Sequence, residues 1–217
     1  MIVLNLKTYP ESIQKALFFT DVAKEVVDET GLKIGICPPA LFLHEAAERF
    51  SDVFAQHADA EPAGAYTGSI PAELLKAAKV RGSIVNHSER KIGNAEKLKA
   101  TIESLHVHGL ESIVCAATTG EAASIAAYTP TYVAVEPPEL IGSGVSVSTA
   151  KPEIVINSVK AIKEINHRIT VLCGAGVSSK DDVKKALELG AQGVLLASAF
   201  VRAPDPKAFL SELAGVF

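Results

Sequence analysis

Tyr132-Val133-Ala134-Val135-Glu136-Pro137-Pro138-Glu139-Leu140-Ile141-Gly142-Ser143-Gly144 reads as a buried strand that stops on a carboxylate and opens into a hinged loop. The apolar run before Glu136 is continuous rather than alternating, as expected of a strand covered on both faces. Pro137 and Pro138 fix φ on one side of the loop. Gly142 and Gly144 free the other side and leave backbone N–H groups open. A carboxylate at a strand end beneath a closable flap suits a base that works away from water. An ordinary strand-to-helix loop with a solvated glutamate fits the same residues, so the rest of the chain decides.

Runs of the same kind recur at 2–6, 33–37, 53–56, 83–86, 112–116, 169–173 and 193–196. Segments with helical spacing lie between them. In 12–29, Phe19, Val22 and Val26 fall three and four apart, and in 151–166 Val155, Val159 and Ile162 do the same. Ser179 with Asp182 three residues on predicts a capping box opening a helix over 180–189. Further helices are expected at 39–49, 71–79, 95–108 and 206–214, and a short one at 120–127. Eight strands, each followed by a helix or a short substitute, imply a (β/α)₈ barrel forming a single domain over 1–217. At roughly 27 residues per unit the chain is short for that fold. A doubly wound open sheet is the alternative; it often carries a Gly-rich first turn, and here the first strand ends in Asn5-Leu6-Lys7.

The formal net charge of −4 gives no reason to expect a nucleic-acid partner. No apolar run approaches the ~20 residues of a membrane span, and the N-terminus lacks the basic start and long apolar core of a signal peptide. Cys37, Cys115 and Cys173 each close an apolar run. They are expected as buried thiols in a reducing cytoplasm, not as disulfides or metal ligands.

A barrel carries its chemistry at the carboxyl ends of its strands. There the sequence offers Asn5 and Lys7 after the first strand, Asn86-His87-Ser88-Glu89-Arg90 after the fourth, and Glu136 after the sixth. Asn5 and Lys7 are two apart and share a strand face. The seventh strand runs into Gly174-Ala175-Gly176-Val177-Ser178 and the eighth into Ala197-Ser198-Ala199. Small residues at those two turns let backbone N–H groups approach an anion such as a phosphate. His106 and His108 do not share a helix face. His44 and His167 sit among solvated residues, and His57 is read as structural.

Asn5-x-Lys7, Asn86-His87-Ser88-Glu89-Arg90, and Glu136-Pro137 followed by Ile141-Gly142-Ser143-Gly144 occur in the order seen in the triosephosphate isomerase family, which the chain resembles from residue 5 to about 198. Ala65-Tyr66-Thr67-Gly68 is similar to that family's third, dimer-forming loop, and the Pro-Pro-Glu-Leu-Ile-Gly flap to its short archaeal branch. Three loops depart from the commoner pattern. The flap has Pro138-Glu139-Leu140 where Val-Trp-Ala is usual, the seventh loop Gly174-Ala175-Gly176 where Gly-Gly-Ser is usual, and the eighth Ala197-Ser198 where Gly-Gly is usual.

The resemblance implies an aldose–ketose isomerase of glycolysis and gluconeogenesis, interconverting dihydroxyacetone phosphate and D-glyceraldehyde 3-phosphate through an enediol(ate) without metal or organic cofactor. It implies Glu136 as base, His87 as neutral acid, and Lys7 and Asn5 beside the developing charge; the pairing of a glutamate with a neutral histidine is the family's own known arrangement and is carried over from it. It implies Ile141, Gly142, Ser143, Gly174, Gly176, Ala197 and Ser198 around the phosphate. Glu89 is expected to anchor Lys7 or the His87 turn. The short spacings after Arg90 and between Ala116 and Tyr132 predict shortened or missing outer helices around units 4 and 5. Apolar surface exposed there, together with the archaeal resemblance, implies a homo-oligomer, a tetramer before a dimer. A barrel synthase acting on a larger phosphorylated substrate, and a non-catalytic phosphosugar-binding barrel, are the competing readings. Neither requires the Asn-His-Ser-Glu-Arg motif together with Glu136.

Overall fold

The computed structural model describes residues 1–137 and 146–217. In chain order the elements are β1 (Ile2–Asn5), α1 (Pro10–Thr30), β2 (Ile34–Cys37), α2 (Leu43–Arg49), β3 (Phe54–Ala55), α3 (Ala72–Ala77), β4 (Gly82–Val85), α4 (Ala95–Val107), β5 (Glu111–Ala116), α5 (Thr119–Ala126), β6 (Tyr132–Val135), α6 (Val147–Ala150), α7 (Pro152–Ile165), β7 (Thr170–Cys173), α8 (Lys180–Glu188), β8 (Gly193–Leu196), α9 (Ser198–Val201) and α10 (Pro206–Ala214). The strands are parallel and pair in the order β2-β1-β8-β7-β6-β5-β4-β3. One bridge, Ile36 to Val53, spans the seam left between β2 and β3 and brings the barrel almost to closure. The open-sheet alternative is thereby excluded.

Side chains alternate across each strand, and the alternation sorts the core into two layers. Val3, Cys37, Phe54, Ile84, Ile113, Cys115, Ala134, Leu172 and Leu195 form one buried cluster, the filling of the barrel. Ile2, Leu4, Ile34, Ile36, Val85, Val114, Val133, Val135, Val171 and Val194 belong to the larger cluster that packs the strands against the helices. Burial on both sides explains why these strands read as continuous apolar runs.

Local signals set the helix ends. The Asn94 side chain accepts from the Lys97 N–H at 2.9 Å and opens α4. Ser179 and Asp182 form the reciprocal capping box at the start of α8. Each such cap is worth about 1 kcal/mol. The trimming expected around units 4 and 5 falls on α5, which has eight residues. Helix α4 keeps thirteen residues and begins only after a 3₁₀ turn, Ser88–Arg90.

Candidate active site

Glu136 follows β6 in the inward register of Tyr132 and Ala134, so alternation alone carries its side chain to the rim of the barrel. It is only 3% exposed. Its N–H donates to the Ala116 carbonyl at 2.8 Å, holding the residue in the sheet. The Cys115 thiol, inward on the neighbouring strand, lies beside its carboxylate and favours the charged form. Among the described residues the carboxylate oxygen Oε2 is buried without a hydrogen-bond partner. Burial pushes the Glu136 pKa up to about 7, against the opposing pull of the Cys115 thiol and the Lys7 charge. Gly174 closes under the carboxylate: a Cβ there would lie 2.4 Å from Glu136 Cγ.

His87 stands across from it. Its Nδ1 accepts the Glu89 N–H at 3.2 Å, so the proton of the neutral ring sits on Nε2. Nε2 lies 3.8 Å from Glu136 Oε2. Burial first, and the Lys7 charge second, push the His87 pKa down to about 4. The ring is therefore neutral at pH 7 and presents an N–H donor toward Glu136 Oε2.

Lys7 turns out of β1 with a left-handed backbone, φ 47°. That costs a side-chain-bearing residue, and its neighbours compensate. The Asn5 side-chain oxygen accepts the Lys7 N–H at 3.0 Å, and Gln56 Nε2 donates to the Lys7 carbonyl at 2.9 Å. The ammonium pairs with Glu89 Oε1 at 2.6 Å, which is the anchor expected of Glu89. Lys7 thereby stands between two clefts, one bounded by Glu136, Gly176 and Ser198, the other by Asn5, Gln56 and His87.

The late loops line the first cleft. Gly174 N–H is spent on the Val135 carbonyl at 3.0 Å, and the Ser178 and Ser179 N–H groups on Asp182 Oδ2 at 3.0 and 3.1 Å. Gly174 therefore makes room for Glu136 and is not a free donor. Gly176, with φ 70°, sits at the turn between those anchored positions. Ser198 opens α9, and the first N–H groups of a helix have no acceptor within it. Ile141, Gly142 and Ser143 lie outside the described residues.

The triosephosphate isomerase family model matches residues 1–213. The chain is 47% identical over 215 residues to a triosephosphate isomerase of Methanothermus fervidus, covering 98% of this chain and 96% of that protein. It is 45% identical to one of Methanocaldococcus jannaschii, covering 98% of both chains, and 46% identical to one of Archaeoglobus fulgidus, covering 100% of this chain and 97% of that one. This chain belongs to the triosephosphate isomerase family.

To the site residues expected from sequence, the structure adds three groups that sequence reading passes over. Gln56 lies two residues beyond inward Phe54, a signal that alternation offers. Its neighbour His57, the more conspicuous residue in sequence, pairs with Asp59 at 3.0 Å and serves the base of the 59–70 loop. Cys115 reads in sequence only as a buried thiol; its contact with Glu136 joins residues of two strands and leaves no mark in the sequence. Asn86 stands in the motif around His87 with no role that the sequence assigns. Among the described residues no group of three His, Cys, Asp or Glu side chains is placed to hold a metal.

Proposed function

We propose that this member of the triosephosphate isomerase family interconverts dihydroxyacetone phosphate and D-glyceraldehyde 3-phosphate with Glu136 as base, His87 as neutral acid, and Lys7 and Asn5 beside the reacting oxygens. Glu136 takes the proton from C1 of dihydroxyacetone phosphate, and the electron pair moves through the new C1–C2 double bond onto the carbonyl oxygen. The His87 Nε2–H donates to that oxygen and passes a proton between the two oxygens of the enediol. Protonated Glu136 then returns its proton to C2, and C1 becomes the aldehyde carbon. Lys7 stabilises the charge that develops on the oxygens. A base with a pKa near 7 matches a reaction run near neutrality.

The observation that carries this reading is the buried Glu136 Oε2, unpartnered among the described residues, facing a neutral imidazole nitrogen 3.8 Å away. A buried carboxylate oxygen without a hydrogen bond costs stability, and a substrate proton is what it lacks. The phosphate is assigned to Gly176, Ala197 and Ser198 of the Lys7 cleft, with Gly174 bordering the base; the family resemblance adds Ile141, Gly142 and Ser143, which lie outside the described residues. A homo-oligomer, a tetramer before a dimer, is proposed from the apolar side chains left in water, Leu41 being 98% exposed. Three buried free thiols suit a reducing cytoplasm. Among the described residues no helix is long and apolar enough to cross a membrane.

A coupled assay with glyceraldehyde 3-phosphate tests the reaction, run beside Glu136→Gln. Turnover that falls by at least about a thousandfold in the variant, with a phosphate-bearing inhibitor still bound, is the expected result. Near-parental turnover in Glu136→Gln would remove Glu136 as base.

A further inference from the structure

Strand alternation makes a specific demand at the end of β4, and the chain does not obey it. Ile84 fills the barrel and Val85 faces the helices. Continued extended backbone would send Asn86 inward and His87 outward, away from Glu136. Instead Asn86 takes φ 61°, a left-handed conformation. The residue that leaves the barrel interior is Asn86, and His87 stands at the carboxylate.

The Asn86 side chain is spent on holding that reversal. Its Nδ2 donates to the Cys115 carbonyl at 2.9 Å and to Glu121 Oε1 of α5 at 3.0 Å. Its Oδ1 accepts the Ile92 N–H at 2.9 Å, closing the loop that carries His87. Asn86 is 1% exposed and its bond to the Cys115 carbonyl is buried, while the bonds to Glu121 and Ile92 are part-buried. Glu121 is itself held, by the Ala117 N–H at 2.7 Å and by Lys91. The chain of contacts ends at the chemistry: Cys115, whose carbonyl Asn86 holds, has its thiol beside the Glu136 carboxylate. One amide thus joins the element carrying the acid to the residue touching the base.

We propose that Asn86 is a positioning residue for the isomerase reaction: its left-handed backbone turns His87 into the barrel, and its amide, tied to Cys115 and Glu121, fixes the spacing between His87 and Glu136. The assignment rests on the isomerase reading above. Two requirements meet at this residue. Asparagine tolerates the left-handed region better than most side chains, and only a short amide supplies donor and acceptor at that point. Glycine meets the first requirement and not the second.

Asn86→Gly therefore separates turn from tie. The expected result is a folded enzyme whose kcat falls tenfold to about a hundredfold, the loss that follows a misplacement near 1 Å. Its KM for glyceraldehyde 3-phosphate stays within about twofold, because the β7 and β8 loops are untouched. A second readout follows the His87 ring by NMR with pH. The charged groups facing the ring are Lys7, Glu89, Lys91 and Glu136. None is changed, so a loosened loop that admits water moves the His87 titration up from about 4 toward its ordinary range.

A folded Asn86→Gly enzyme with kcat within twofold of the parent and an unmoved His87 titration overturns the proposal. Should Asn86→Gly fail to fold, Glu121→Ala decides in its place. A fall in kcat at constant KM supports the tie, and parental kcat overturns it. If the parent itself fails to isomerise, the isomerase reading falls, and the His87 titration of parent and variant still reports whether Asn86 holds the ring.

Discussion

Replacing Gly174 with alanine puts one methyl group into the space that Glu136 uses. The backbone is not the obstacle, since Gly174 is not among the residues with positive φ. The obstacle is contact: the added Cβ would lie 2.4 Å from Glu136 Cγ, 2.9 Å from its Oε1 and 3.0 Å from its Cδ, where ordinary contact begins at 3.4 Å. Gly174 is tied to Val135 within the sheet and cannot retreat freely, so the glutamate arm must. Restoring contact from 2.4 to 3.4 Å moves it by about 1 Å, away from β7 and off its present line to His87 Nε2. An overpacked core costs about 1–3 kcal/mol. Here the low end applies, because Glu136 borders a cleft into which it can shift. Catalysis is more sensitive: a misplacement of that size costs about a hundredfold, or about 2.7 kcal/mol of transition-state stabilisation. Gly174→Ala should thus lose about a hundredfold in kcat for glyceraldehyde 3-phosphate while its thermal midpoint drops by only a few degrees. A stable Gly174→Ala enzyme with kcat within about threefold of the parent would refute the reasoning, because it would show that the carboxylate's present position is not the working one.

Two further expectations concern pH. Glu136 as the proposed base must be ionised, so kcat/KM should rise with pH through a value near 7 as it loses its proton. His87, pushed to about 4, stays neutral over that range and contributes no limb there. A rate profile flat between about pH 5.5 and 8 would contradict the burial argument. The same shift has a stability side. The folded state holds the Glu136 proton more tightly than the unfolded chain, so the folded state loses stability as pH rises from 4.5 through about 7. The penalty approaches about 3 kcal/mol above pH 7. Glu136→Gln removes it, so the variant should match the parent in denaturant unfolding near pH 4.5 and exceed it at about pH 8. A stability difference that does not change with pH would rule the linkage out.

The succession of strands and longer helices was legible in the chain, because each rests on local patterning; the four-residue helices α6 and α9 were not. Apolar runs marked the strands, three-and-four spacing marked the helices, and the Ser179–Asp182 pair marked a helix start that the structure reproduces. Strand ends and alternation also carry Glu136 and Asn5 toward the rim, whereas Lys7 reaches it through a left-handed turn that alternation does not foresee. The tertiary structure alone decided the rest. The near-closure of the barrel depends on the Ile36–Val53 bridge between segments whose own residues look no different from the others. The roles of Gln56 and Cys115 depend on neighbours 49 and 21 positions away, Lys7 and Glu136. Gly174 reads as an anion-binding glycine in sequence and proves to be space for a carboxylate arm. His87 faces Glu136 after Asn86, whose left-handed backbone breaks the alternation that sequence would extend. Local pattern sets the backbone's period, but side-chain facing at a strand end is decided by φ, and a carboxylate's pKa by burial. Both depend on contacts between residues distant in the chain.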